Sequence, residues 1–141
     1  MKITEFGVIA TGTMEAEAIC SDTPLSFWGG VEVHTGLIQD VHHDLLGEKV
    51  TGKLLCIPYD RGSCSGSGII LEMIRQGTNP KGLLCIEAEA VLALGPVIGE
   101  RVYKRSMPIR TVSAEALKSI KTGDRVIFTD DAIIVEQNNT E

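Results

Sequence analysis

The sequence has few aromatic residues, little positive charge and no long apolar run. Aromatic side chains make up 4% of its 141 residues, and the formal net charge is −6. An acidic chain without a basic cluster is not expected to bind nucleic acid or an anionic membrane as its main activity. Its apolar runs also fall well short of the roughly 20 residues needed to cross a bilayer. The composition therefore argues against nucleic-acid-binding and membrane-spanning classes.

The first ten residues, MKITEFGVIA, lack the features of a secretory signal. They contain neither a long apolar core nor a small-residue cleavage site. We therefore expect a cytoplasmic protein.

Metal-binding and disulfide patterns are also missing. No C-x-x-C spacing occurs among the four cysteines, which are Cys20, Cys56, Cys64 and Cys85. A disulfide scaffold or a four-ligand metal site made by this chain alone is therefore not expected. Cys56 and Cys85 lie in apolar runs and are predicted to be buried thiols. The histidines match no zinc motif and are expected on a solvated loop: His34, His42 and His43.

Glycine, in contrast, is abundant, and turn residues separate many short β-prone runs. Strands are predicted at 3–10, 14–20, around 36–41, 54–57, 83–86, 106–112, 125–129 and 132–136. Helices are predicted at 68–76, at 90–98 (short and buried, ended by Gly95-Pro96) and at 114–120 (capped by Ser113). The segment 54–86 then forms a parallel βαβ unit, and the last two strands form a hairpin. We predict one α/β domain over residues 1–141, part parallel and part antiparallel, with 137–141 as a frayed tail.

The stretch 53–77 has the strongest functional pattern in the chain. An apolar strand stops at Pro58, and a loop of small residues leads into an amphipathic helix that ends at Gly77. The loop reads Arg61-Gly62-Ser63-Cys64-Ser65-Gly66-Ser67-Gly68. Free N–H groups at a helix start attract negative charge, so the loop is typical of an anion-binding or oxyanion-stabilising site. A turn that only caps the helix is the simpler interpretation.

Three functions fit this loop. Gly62-x-Cys64-x-Gly66 matches a nucleophile elbow and indicates cysteine-dependent acyl transfer, but no histidine follows His43 to act as base. Alternatively, a serine alkoxide stabilised by the helix start and by Arg61 could remove a proton from carbon, with a larger partner completing the site. A non-catalytic regulatory domain that binds an anion is the third interpretation.

A second unusual segment combines the scarce aromatics with glycine: Phe27-Trp28-Gly29-Gly30. Two adjacent bulky rings beside two glycines favour a pocket wall or a partner-facing patch. A small core under a loop is the alternative.

Taken in order, these segments resemble the small subunit of aconitase X over nearly the whole chain. The matching segments are Glu15-Ala16-Glu17-Ala18, Pro24 to Val31, Thr35-Gly36, Gly52-Lys53, Arg61 to Gly68, Glu87-Ala88-Glu89 and Lys121 to Val126. The resemblance implies a swivelling β/β/α domain docked on a large subunit that holds an iron–sulfur or iron centre. It also implies dehydration or hydration of a small carboxylate, with no metal bound by this chain alone.

The same resemblance implies roles for the loop residues. Ser63 falls on the catalytic base of the aconitase pattern. Substrate-binding positions fall on Arg61, Gly62, Cys64, Ser65, Gly66 and Ser67. Ser65 stands where the aconitase pattern has an arginine, so carboxylate recognition by that arginine does not carry over. The sequence of the loop resembles that of bacterial members that dehydrate cis-3-hydroxy-L-proline. Phosphomevalonate is the second substrate candidate.

Overall fold

The computed structural model describes residues 1–60 and 63–138, with the backbone alone described for residues 63–65. Within these ranges eight strands form one mixed sheet in the order β1-β8-β7-β3-β4-β5-β6-β2. The strands are β1 (Lys2–Ile3), β2 (Gly7–Ala10), β3 (Met14–Cys20), β4 (Leu54–Cys56), β5 (Gly82–Cys85), β6 (Ile109–Thr111), β7 (Arg125–Phe128) and β8 (Ile133–Glu136). The helices are α1 (Phe27–Gly30), α2 (Ser63–Gln76), α3 (Leu94–Tyr103) and α4 (Ala114–Lys118), with a 3-10 turn at Ala90–Ala93.

The centre of the sheet is parallel, as the sequence predicts. Strands β3, β4, β5 and β6 run in the same direction, and Leu55 pairs with Leu83 across β4 and β5. These strands are continuously apolar because both faces are covered. Leu55 and Leu83 pack with Met73 of α2 on one face, whereas Leu54 and Leu84 belong to the cluster on the other. The α/β fold with its parallel βαβ unit is confirmed.

The predicted C-terminal hairpin and the Ser113 cap are also confirmed, whereas residues 139–141 of the predicted tail lie outside the described residues. Strands β7 and β8 form an antiparallel hairpin in which Val126 pairs with Val135. The Ser113 hydroxyl accepts a hydrogen bond from the Ala116 N–H at 3.1 Å, which caps α4. This helix ends at Lys118, two residues earlier than predicted.

The single strand predicted at 3–10 is wrong. β1 pairs with β8 and β2 pairs with β6, at opposite ends of the sheet order, so the chain must leave the strand path between Ile3 and Gly7. The short strand predicted around 36–41 is also wrong, since the described residues there form only isolated bridges at Leu37 and Ile38. Gly36, at φ +76°, turns the chain directly before them.

Helix α2 begins at Ser63, five residues before the predicted start at residue 68. Glycine and serine have poor helix propensity, so the pattern of the sequence places the start too late, whereas tertiary packing makes these residues helical. Gly77 has φ +81° and follows the last helical residue, which confirms the predicted stop.

The helix predicted at 90–98 is wrong in its end and in its burial, since Leu94, Val97 and Ile98 are exposed. Gly95-Pro96 lies in the first turn of α3 instead of terminating a helix. A proline is tolerated there because the N–H groups of the first turn have no intrahelical acceptor.

Candidate active site

The site predicted from the sequence lies where β4 leads into α2. Ser63, Cys64 and Ser65 form the first turn of α2, so their backbone N–H groups lie at the positive end of a helix of 14 residues. Arg61 and Gly62 lie outside the described residues. The arrangement of the backbone can therefore stabilise an anion at the position predicted for the base.

Gly66 and Ser67 fix the start of this helix inside the fold. Gly66 is buried so closely against the Asp60 carboxylate that a Cβ atom would overlap Asp60 Oδ2. Ser67 is 5% exposed, and its Oγ accepts a hydrogen bond from the Gly95 N–H at 2.6 Å and donates to the Leu92 carbonyl at 3.4 Å. The Ser67 hydroxyl is thus engaged by the chain around α3.

Asp60 belongs to the site, although sequence reasoning missed it. Its Oδ1 accepts the Phe27 N–H at 3.0 Å, and its buried Oδ2 has no hydrogen-bond partner within the described part of the chain. Burial raises the pKa of Asp60 to about 6, with the Phe27 hydrogen bond acting in the opposite direction. In the sequence, Asp60 could have been identified as a carboxylate that follows a strand and directly precedes Arg61-Gly62-Ser63.

An acidic cavity of about 210 Å³ opens beside this carboxylate. It is lined by Tyr59, Asp60, Glu87, Ala88, Glu89 and Leu92. Glu87 and Glu89 follow strand β5 and line this cavity together with Asp60. The cavity has three carboxylates among its described lining residues and no cation, which favours a ligand with a positive group.

The aromatic and glycine segment is divided between core and surface. Phe27 is fully buried and Gly30 is buried, whereas Trp28 is 64% exposed and Gly29 is exposed at φ +82°. The segment forms the short, kinked helix α1, in which Trp28 itself has non-helical backbone angles. The buried Phe27 ring anchors the segment to the core, and the Trp28 ring lies at the surface.

Three cysteines outside the 61–68 loop have described side chains: Cys20, Cys56 and Cys85. Cys56 and Cys85 are 1% and 0% exposed, which confirms the prediction that they are buried, and burial raises the pKa of Cys85 to about 12. Cys20 is half-buried, and its side-chain hydrogen bond with Cys56 lowers its pKa. A larger cavity of about 580 Å³ adjoins Cys20 and Cys56 beside α4.

The histidine prediction is wrong in one case. His43 is 4% exposed, and both ring nitrogens have partners: Nε2 lies 3.0 Å from the Thr23 carbonyl, and Nδ1 accepts the Leu45 N–H at 3.1 Å. His34 and His42 are exposed as expected.

The described residues do not suit a metal centre. Over residues 1–60 and 63–138, no group of three or more His, Cys, Asp or Glu side chains is arranged to hold a metal ion. An iron or iron–sulfur centre therefore does not fit this part of the chain. In the same residues, no helix has the length and apolar character needed to cross a bilayer.

Known proteins are similar to this chain in sequence and in fold. The family model for the aconitase X swivel domain matches residues 4–137. A cis-3-hydroxy-L-proline dehydratase of Hypocrea jecorina is 44% identical over 98 residues, which are 70% of this chain and 16% of that protein. The phosphomevalonate dehydratase small subunit of Pyrococcus furiosus is 44% identical over 98 residues, covering 70% of this chain and 72% of that subunit. The crystal structure of holo-form aconitase X from Thermococcus kodakaraensis matches 97% of this chain and 99% of its own with a TM-score of 0.84 at 29% identity.

Proposed function

This chain belongs to the aconitase X swivel-domain family, and from that membership we propose that it is the small subunit of a hydro-lyase. It acts as one domain over residues 1–141, and its activity requires a large subunit. The observation that carries the proposal is the family match over residues 4–137, together with a helix that begins at Ser63.

Ser63 is the proposed base. Its hydroxyl, once deprotonated, removes a proton from the carbon next to the substrate carboxylate while the hydroxyl of the adjacent carbon leaves. An unassisted serine is a poor base, so the alkoxide needs the N–H groups of the first α2 turn and a neighbouring cation. Arg61 is the proposed cation, and Gly62, Cys64 and Ser65 complete the proposed substrate contacts. Gly66 and Ser67 contribute by holding the helix start against Asp60 and α3.

The proposed substrate is cis-3-hydroxy-L-proline, which would be dehydrated to a pyrroline-2-carboxylate. This amino acid has one carboxylate and one secondary ammonium group. The start of α2 suits the carboxylate, and the cavity lined by Asp60, Glu87 and Glu89 suits a neighbouring ammonium. The Hypocrea jecorina relative, named a cis-3-hydroxy-L-proline dehydratase, supports this choice.

Phosphomevalonate is the second candidate, and the Pyrococcus furiosus relative favours it. Its phosphate carries a charge of about −1.5 to −2 at neutral pH and would need several cations. The described lining of the cavity offers carboxylates instead. Lys53, a cation directly before β4, forms an ion pair with Glu17 at 2.9 Å. The large subunit would then have to supply the positive charge.

The large subunit is also the proposed holder of the iron or iron–sulfur centre, because the described residues of this chain do not fit one. Trp28 and Gly29 are the proposed partner-facing or pocket-lining part of the aromatic segment, with Phe27 and Gly30 supporting them from below.

The experiment is a reconstitution with the large subunit from the same organism, loaded with iron, and an assay of both substrates. We expect kcat/KM to be higher for cis-3-hydroxy-L-proline. Preference for phosphomevalonate would overturn the substrate and leave the hydro-lyase proposal standing. A loaded complex that dehydrates neither compound would count against the proposed function itself.

A further inference from the structure

Helix α3 exposes its large apolar residues and buries its small ones. Leu94, Val97, Ile98 and Val102 are 54%, 49%, 42% and 60% exposed, and Tyr103 is 36% exposed. The buried residues of the same helix are Gly95, Pro96 and Gly99. An ordinary surface helix has the opposite arrangement, with its large apolar residues against the core.

The glycines explain how this arrangement is built. A Cβ atom at Gly95 would run into the backbone of α2 at Ser67, and one at Gly99 would lie 2.9 Å from Ile74 Cδ1. The backbone of α3 therefore lies directly on α2, and its large side chains point away from the core.

The result is a concentrated apolar surface. Of the twelve large apolar residues exposed in the described part of the chain, five lie on this one helix. Glu100, Arg101 and Lys104 are exposed around them and form a polar rim. An apolar centre with a polar rim is the usual composition of a protein–protein interface.

We propose that this α3 surface, made by Leu94, Val97, Ile98, Val102 and Tyr103, is a docking surface for the large subunit. The inference rests on the proposed function, which supplies that partner. The matched region is only 16% of the Hypocrea jecorina dehydratase, so more than four fifths of that protein lies outside the matched domain and is available to cover this face.

The position of α3 next to the serine helix supports the same occupant. The Gly95 N–H donates to Ser67 Oγ at 2.6 Å, four residues after Ser63 in α2. The first residues of α3 therefore lie one helical turn along α2 from Ser63, on the side of the fold where a partner that completes the proposed active site is needed.

The test measures binding of the full chain to its own large subunit by titration calorimetry. The α3 variant is Val97→Glu/Val102→Glu, and the matched control is Val41→Glu/Leu46→Glu, at residues that are 72% and 50% exposed elsewhere. We expect Kd to rise about 30-fold or more for the α3 variant, the effect of losing one strong interface contact. The control is expected to change Kd by about twofold or less.

A second measurement uses the wild-type chain and so does not depend on the variants folding. Hydroxyl-radical labelling of Leu94, Val102 and Tyr103 should fall in the complex, while labelling of Val41 and Leu46 is unchanged. Unchanged labelling on α3, or equal losses of affinity in variant and control, would overturn the inference.

Sedimentation of the chain alone tests the alternative that a second copy of this chain covers the α3 surface. If the chain dimerises through α3 and the α3 variant still binds the large subunit normally, the surface serves a second copy and the inference is wrong. An active complex with an uninvolved α3 would contradict this inference alone, whereas a wild-type chain that binds no large subunit would contradict the proposed function as well.

Discussion

Asp60 is the residue whose ionisation the fold changes most clearly within the site. Its pKa rises from 3.8 to about 6 because it is partly buried, with Tyr59, Glu87 and Glu89 lining the same cavity. A carboxyl with a raised pKa stabilises the fold below its unfolded pKa, and this contribution is lost as the pH rises through the folded value. The charged form of Asp60 thus weakens the fold above pH 6.

Asp60→Asn should therefore raise the melting temperature relative to wild type at pH 7, because the amide keeps an acceptor for the Phe27 N–H and carries no charge. The difference should grow between about pH 4 and pH 6 and then level off, as linkage requires. Thermal unfolding followed by circular dichroism at pH 4 to 8 measures it. A difference that does not vary with pH would contradict the raised pKa, and Asp60→Ala, which also removes the acceptor, serves as the comparison.

For single residues, the sequence predicts burial correctly where the adjacent residues in the chain determine the environment of the side chain. Cys56 and Cys85 lie in continuous apolar runs, and both are buried as predicted. Asp60, His43 and Arg110 are different, because their partners come from distant segments. Arg110 is 3% exposed, with its guanidinium 4.5 and 4.6 Å from the ring centres of Phe6 and Phe128, and no local pattern indicates such a contact.

The close packing of α2 against α3 sets the position of the serine turn, and two glycines test it. Gly95→Ala places a Cβ against the backbone of Ser67 and should destabilise the chain by about 1–3 kcal/mol, as overpacking does. Gly68→Ala is the matched control: Gly68 is exposed, and a Cβ there meets nothing within 4 Å.

The control should be stabilising by about 0.5–1 kcal/mol, since alanine is the better helix former. Urea unfolding of both variants and of the wild type gives the two differences. Equal stability of Gly95→Ala and wild type would mean that the helices are not in backbone contact at this point.

Among the elements, the sequence predicts those with a clear period or a strong stop. The apolar strands, the hairpin, the Ser113 cap and the Gly77 stop all agree with the structure. The start of α2 and the path of α3 do not agree, because Gly66 packs against Asp60 and the glycines Gly95 and Gly99 allow α3 to lie directly on α2. A glycine used for close approach has the same local signature as a glycine used to break a helix.

At the scale of the whole molecule, the sequence does not indicate that its first apolar segment is divided into two strands. Residues 3–10 look like one strand, but β1 and β2 pair at opposite ends of the sheet order. That choice depends on which strands have free edges, which is a property of the finished sheet and not of the segment.

The purified chain alone is expected to turn over neither cis-3-hydroxy-L-proline nor phosphomevalonate. Its cavity of about 210 Å³ is open, and the described residues offer no metal site. Adding the iron-loaded large subunit should produce dehydration, which can be followed by the appearance of product. Dehydratase turnover by the isolated 141-residue chain would contradict the two-subunit scheme.

The most direct test compares kcat of Ser63→Ala and Cys64→Ser in the reconstituted complex. If Ser63 is the base, Ser63→Ala should lower kcat by on the order of 10²–10⁴-fold, the usual loss when a general base is removed. Cys64→Ser should have a much smaller effect, and both variants should bind the large subunit as the wild type does. The reverse order, with Cys64→Ser inactive and the wild type inactivated by thiol alkylation, would contradict Ser63 as the base and favour cysteine-dependent acyl transfer.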